Sequence, residues 1–161
     1  MMVMKEQIEA AVLFVCLGNI CRSPLAEAAF RHHAELAGLD IEVDSAGTGR
    51  WHVGKPPDPR AQSVARRHGV ETGDYKARQL ENADFHRFTH IFALDHDNLA
   101  DIRARAPVDG RARIMLLLDL VKGREGQAVA DPYYGDDSGF DRTWHEVSEA
   151  ARELVGLLQK A

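Results

Sequence analysis

The sequence predicts an α/β fold: a single three-layer domain in which a four-stranded parallel sheet is flanked by helices on both faces. Three observations predict it. Uncharged runs rich in β-branched and aromatic residues, led by Ala10 to Leu17, read as strands buried on both faces. Amphipathic segments of helical period separate these runs, the alternation expected of parallel strands joined by crossovers. The length of 161 residues suits one core that needs neither disulfide nor metal to hold it.

Residues 1–10 read as a short flexible extension and residues 11–161 as the domain. In the extension Lys5 is balanced by Glu6 and Glu9, and the apolar run that follows is needed as a strand, so no signal peptide is expected. The first strand delivers Cys16 to the edge of the sheet. Gly18 and Asn19 are the residue types that most readily take positive φ, which lets the next turn curl its amides inward. Ser23 is a natural N-cap and Pro24 suits the first helical position. A helix is predicted from Pro24 to Leu39, with Leu25, Ala28, Ala29, His32, Leu36 and Leu39 as its apolar stripe.

Ile41 to Ala46 alternates as a second strand, broken by Gly47-Thr48-Gly49. Ser45, at its carboxyl end, shares an edge with the Cys16 loop. It either braces Asn19 or satisfies a local turn. The breaker-rich loop from Gly49 to Pro57 carries Trp51, which on composition alone is as good a core plug as a cleft wall. Asp58 and Pro59 are an N-cap and first position for a helix that stops at Gly69. A short helical turn over Glu81 to Phe88 precedes the strand Thr89 to Leu94. Asp95 lies on the active edge, where a catalytic carboxylate could stand, but a capping role for the helix Asp97 to Arg105 or a bracing role is favoured. Arg113 to Leu118 is the fourth strand, and a polar loop leads to Asp131-Pro132-Tyr133-Tyr134-Gly135. Phe140, Trp144, Val147, Ala151, Leu154 and Leu158 give the last segment, Ser138 to Lys160, the period of a long amphipathic helix.

The chemistry concentrates after the first strand. Inward amides, a helix N-terminus and the Arg22 guanidinium all converge on one spot, which makes an anion cradle. Such surroundings favour the thiolate of Cys16 over its thiol. They also suit a phosphoryl group, held by the loop Leu17, Gly18, Asn19, Ile20, Cys21, Arg22 and Ser23, with Arg22 gripping two oxygens. A cysteine beneath a bound phosphate is a nucleophile in line for attack.

Composition narrows the alternatives. The net charge is −5 and no Lys or Arg cluster stands out, which argues against nucleic acid as a partner. No apolar run reaches membrane-spanning length. Two cysteines in one tight loop suggest a reducing, cytoplasmic setting rather than a structural disulfide. The eight histidines show no ligand-like spacing, so no metal or other cofactor is expected.

The string Cys-x-Gly-Asn-x-Cys-Arg-Ser-Pro, from Cys16 to Pro24, resembles the signature of the low molecular weight protein tyrosine phosphatases. Asp58-Pro59-Arg60-Ala61, Lys76 to Leu80 and Asp95-x-x-Asn98-Leu99 extend the resemblance along most of the chain. It implies that Asp131, in Asp-Pro-Tyr-Tyr-Gly, is the general acid and base that partners Cys16. It implies that Trp51, Tyr133 and Tyr134 line a cleft for a flat aryl phosphate, and that Ser45, Asn19, Ser23 and Asp95 support the loop. It implies a tyrosine-phosphorylated protein or small aryl phosphate as substrate, inorganic phosphate and other oxyanions as inhibitors, and a monomer or weak dimer. Cys21 stands as a redox partner for Cys16 or as a small loop residue.

Two departures are visible. Tyr75 occupies the place of a loop-supporting His, and Leu94 that of a Met. Three rivals share the loop. An arsenate reductase needs a further resolving cysteine on a distant segment, and there is none. A phosphoarginine phosphatase typically has Thr where Ile20 stands. A phosphocysteine carrier has no need of Asp131.

Overall fold

The computed structural model describes residues 6–160. Strand β1 (Glu6–Cys16) lies between β2 (Leu39–Gly47) and β3 (His90–Ala93), and β4 (Arg113–Leu116) pairs with β3, giving the order β2-β1-β3-β4. Every pairing is parallel. The order reverses at β1, and ligands of such sheets bind where it does, beyond the carboxyl ends of the strands. Cys16 ends β1.

Alternation along β1 divides the interior. Val12, Phe14 and Cys16 face one core, while Ala11, Leu13 and Val15 face the other. The first core is closed by α1 (Arg22–Leu36), α2 (Pro59–Arg67) and α5 (Asp137–Lys160), through Leu25, Phe30, Val64, Phe140, Trp144 and Leu154. The second is closed by α3 (Asp84–Arg87) and α4 (His96–Arg105), through Phe85 and Ile102. Helices on both faces make the three layers. Phe14 anchors the first core, with the rings of Phe30 and Phe92 at 5.9 and 5.8 Å.

Several boundaries differ from the sequence reading. Residues 6–10, assigned there to the flexible extension, belong to β1, because β2 starts at Leu39 and offers pairing to Glu6 and Gln7 before a register shift towards Ala11. Residues 1–5 lie outside the described residues. Helix α1 starts at Arg22, so Ser23 is not the N-cap; Cys21 holds that position without a side-chain cap bond. Ser23 is drawn inside the first turn because its hydroxyl is engaged by Cys16 and Asn19. Pro24 is tolerated there, since the first-turn amides have no partners within the helix. The helix ends at Leu36, which is exposed, while Leu39 has passed into β2 and Phe30 fills the core instead. The fourth strand stops at Leu116, and Leu117–Leu120 winds into a 3₁₀ turn that buries Leu117 and Leu118. Among the described residues no helix is long and apolar enough to cross a membrane.

Candidate active site

The loop from Cys16 to Arg22 turns its carbonyls outward. Cys16 O accepts from Thr48 N at 2.9 Å, Leu17 O from Gly49 N at 2.9 Å and Ile20 O from Asp58 N at 2.8 Å. A short arc whose carbonyls face out presents its amides to the inside, the geometry of an anion cradle. Of the Gly18-Asn19 pair only Asn19 takes a left-handed φ, +58°. Gly47 is required for another reason: a Cβ there would stand 2.6 Å from Leu17 O, so β2 can approach the loop this closely only without a side chain.

A relay of side chains runs behind the sulfur. The Asn19 amide nitrogen donates to Ser23 Oγ at 2.7 Å and to Ser45 Oγ at 3.0 Å, which uses both of its hydrogens. Ser45 donates onward to Glu27 at 2.7 Å. Ser23 Oγ accepts from Asn19, and its own proton has two acceptors in reach, Cys16 Sγ at 3.0 Å and, more distant, the Ala46 carbonyl at 3.4 Å. The Asn19 backbone amide also donates to that sulfur at 3.3 Å. Two donors on one buried sulfur suit a thiolate.

Tyr75, expected to support the loop in place of a His, does not reach it. The Asn19 carbonyl accepts from Arg78 N at 3.1 Å, and Tyr75 makes no hydrogen bond to it. Tyr75 lies instead beside Glu27 and Arg31, and burial with the Glu27 charge pushes its hydroxyl up to about 12. Glu27, which sequence reasoning passed over as a helix residue, is buried. Burial raises its carboxyl above the ordinary range, opposed by bonds from Ser45 and from Arg31. Burial, followed by the charges of Asp58 and Cys16, raises the Cys21 thiol far above its usual value.

Arg22 is held from the opposite side. Its Nη1 donates to Asp95 Oδ2 at 2.7 Å and to the Val129 carbonyl at 2.9 Å. Asp95 also caps α4, accepting from Asn98 N at 2.7 Å, so both roles considered for it are present together. Arg22 Nη2 stands 3.7 Å from Asp131 Oδ2, which brings the acidic loop to the phosphate loop. Asp131 accepts from Tyr133 N at 3.1 Å in the turn that its own Pro-Tyr sequence builds.

A cavity of about 270 Å³ opens over this point. Cys16, Arg22 and the intervening loop except Asn19 line it, together with Trp51 and His52 from one segment and Asp131, Tyr133 and Tyr134 from another. Trp51 is 69% exposed and Tyr134 93%, so neither is a core plug. The Trp51 ring lies on Gly49, where a Cβ would fall 1.8 Å from it; only glycine seats the indole there. The Tyr133 and Tyr134 rings meet edge to face at 4.9 Å. His52 gave no signal in the sequence, yet its ring covers Gly18 at the rim. Among the described residues no cluster of His, Cys, Asp or Glu could hold a metal ion.

The chain is similar in sequence and in fold to known proteins. The family model described as low molecular weight phosphotyrosine protein phosphatase matches residues 11–161. A curated protein of that name from Schizosaccharomyces pombe is 48% identical over 147 residues, covering 89% of this chain and 94% of its own. The crystal structure of a protein tyrosine phosphatase from Entamoeba histolytica, with Hepes in its active site, superposes with a TM-score of 0.88 at 35% identity, covering 94% of this chain and 97% of that one. A Drosophila arginine phosphatase superposes with a TM-score of 0.86 at 34% identity, over 91% and 96%.

Proposed function

Because the chain belongs to the low molecular weight phosphotyrosine protein phosphatase family, we propose that Cys16 and Asp131 divide the hydrolysis of phosphotyrosine between them. The protein is a hydrolase of phosphate monoesters. The observation that carries the division of labour is the position of Arg22, fixed by Asp95 and Val129 and 3.7 Å from Asp131. One guanidinium thus joins the nucleophile's loop to the acid's loop.

The Cys16 thiolate attacks phosphorus while the bond to the phenolic oxygen breaks, and Asp131 gives that oxygen its proton. Both Nη1 hydrogens of Arg22 are committed to the protein, which leaves Nε and Nη2 to fork onto two phosphoryl oxygens. Loop amides take the remaining charge. A phosphocysteine results. Asp131, now a carboxylate, removes a proton from water as it attacks phosphorus, and the thiolate departs towards the Ser23 hydroxyl. Trp51, Tyr133 and Tyr134 offer aromatic surface to a flat, deep ester, and inorganic phosphate competes for the same cradle. Both cysteines are free thiols, in keeping with a reducing, cytoplasmic setting.

The resemblance to an arginine phosphatase supports a second reading, dephosphorylation of phosphoarginine. Ile20 in place of Thr counts against it. The deciding experiment measures kcat/KM on phosphotyrosine, phosphoserine and phosphoarginine peptides, with and without chelator. Phosphotyrosine should be preferred, chelator should have no effect and Cys16→Ser should abolish turnover. A preference for phosphoarginine would select the second reading, and undiminished turnover by Cys16→Ser would remove the mechanism.

A further inference from the structure

The acid of this site sits on a loop that belongs to no strand or helix. Between the 3₁₀ turn ending at Leu120 and the start of α5 at Asp137 there is no regular element, and the Asp131 side chain is 43% exposed. Before the acid, buried Val129 is held by Leu94 and Arg22; after it, what fixes the loop is a side chain from α2. Arg60 Nη2 donates to the Tyr133 carbonyl at 3.0 Å and Nη1 to the Gly135 carbonyl at 3.2 Å. The guanidinium lies over the Phe140 ring at 4.6 Å and over the Tyr133 ring at 5.7 Å.

The other side of the same guanidinium is gripped by Asp58. Arg60 Nε donates to Asp58 Oδ1 and Nη2 to Oδ2, each at 3.0 Å. Asp58 is in turn fixed twice: its Oδ1 caps α2 through Arg60 N at 2.8 Å, and its backbone amide donates to Ile20 O in the phosphate loop. A continuous path therefore runs from the phosphate loop through Asp58 and Arg60 to the two carbonyls that follow the acid. A planar fork can grip a carboxylate and two carbonyls at once, which a lysine ammonium cannot do with the same geometry.

We propose that Arg60 is a positioning residue that holds the acid loop in register with the phosphate loop, setting where Asp131 meets the leaving oxygen. It contributes no atom to the reaction and acts through Asp131, so the proposal rests on the reading of Asp131 as the general acid. Misplacement of a catalytic group by about 1 Å can cost two orders of magnitude.

The test compares kcat/KM, which ends at cleavage of the P–O bond, for phenyl phosphate and p-nitrophenyl phosphate. The first has a poor leaving group that depends on the acid and the second a good one that does not. Arg60→Met should lower kcat/KM for phenyl phosphate about tenfold and for p-nitrophenyl phosphate less than about twofold, a fraction of the roughly 10² to 10⁴ a general acid supplies. Arg60→Lys should fall between. In an Asp131→Asn background, Arg60→Met should add nothing to the substrate ratio.

Equal losses for the two substrates, the signature of a merely structural role, would overturn the proposal, as would an unchanged ratio. If Asp131→Asn alone leaves the ratio unchanged, the acid assignment itself is refuted. If that variant shifts the ratio and the Arg60 variants do not, only the role of Arg60 is refuted. Near-UV circular dichroism reports folding, and should the methionine variant not fold, the lysine variant decides.

Discussion

Replacement of Asp95 separates two tasks that one carboxylate performs. Its Oδ1 caps α4 and its Oδ2 pairs with Arg22. The Arg22 side chain is 4% exposed and that of Asp95 24%. Loss of an N-cap costs about 1 kcal/mol. Breaking a buried ion pair costs about 3 to 5 kcal/mol. Here roughly 2 is the better figure, because Asp95 is partly solvated and Val129 still accepts from Arg22. Asp95→Ala should therefore destabilise by about 3 kcal/mol, which in a protein of this size lowers Tm by roughly 6 to 12 °C.

Asp95→Asn keeps a good cap, because its carbonyl oxygen can face Asn98 N. Its amide nitrogen must then face the guanidinium, donor against donor, so the cost is about 2 kcal/mol from the Arg22 side alone. Freed from its tether, Arg22 holds phosphate less well, and kcat/KM for aryl phosphates should fall on the order of tenfold in both variants. Urea unfolding gives the stabilities and steady-state rates give the rest. If Asp95→Asn matches the parent in stability and rate while Asp95→Ala does not, Asp95 is a helix cap and nothing more.

Two further outcomes follow from the titrating groups behind the loop. Folding raises the Glu27 carboxyl, so the folded state binds more protons than the unfolded one between the two values. Stability from this group is full below the unfolded value and is lost as pH rises through the folded one. Glu27→Gln should flatten that decline in urea midpoints measured across the mildly acidic range, and a parallel decline in both proteins would reject the assignment. The Cys21 thiol is held protonated by burial, so it attacks an oxidised Cys16 slowly at neutral pH. Mild peroxide should inhibit reversibly through a Cys16 to Cys21 disulfide that forms faster as pH rises; peptide mapping that finds only overoxidised Cys16 would exclude it.

The chemistry at the end of β1 was legible in the sequence because it is local. Gly18, Asn19, Arg22, Ser23 and Cys16 lie within eight positions, and backbone preference and charge speak directly at that range. Asp131 was legible for the same reason, since Pro132 and the tyrosines surround it. What escaped depends on contacts between distant segments. Glu27 reads as an ordinary helix residue until packing buries it against Ser45. Val129 contributes only a carbonyl, which no side-chain pattern announces. Arg60 was read as part of a motif, and its grip on Tyr133 and Gly135 spans more than seventy positions. Tyr75 was expected to inherit the task of the residue it replaces, but its hydroxyl lies against Glu27 and Arg31 while the Arg78 backbone serves the Asn19 carbonyl. The strand at residues 6–10 escaped because Glu6 and Glu9 interrupt the uncharged run that marks a buried strand.

The two halves of the site are also fastened to unequal depths. Cys16 ends a strand paired on both sides, so exposing it means opening the centre of the sheet. Asp131 sits on an irregular segment held by a few clasps, Arg22 on Val129 before it and Arg60 on Tyr133 and Gly135 after it. Local opening draws first on such weakly fastened segments. Warming or mild denaturant will therefore sharpen discrimination against poor leaving groups while the cysteine can still be phosphorylated, and an enzyme in that condition releases phosphate slowly because the base that activates water has left its post.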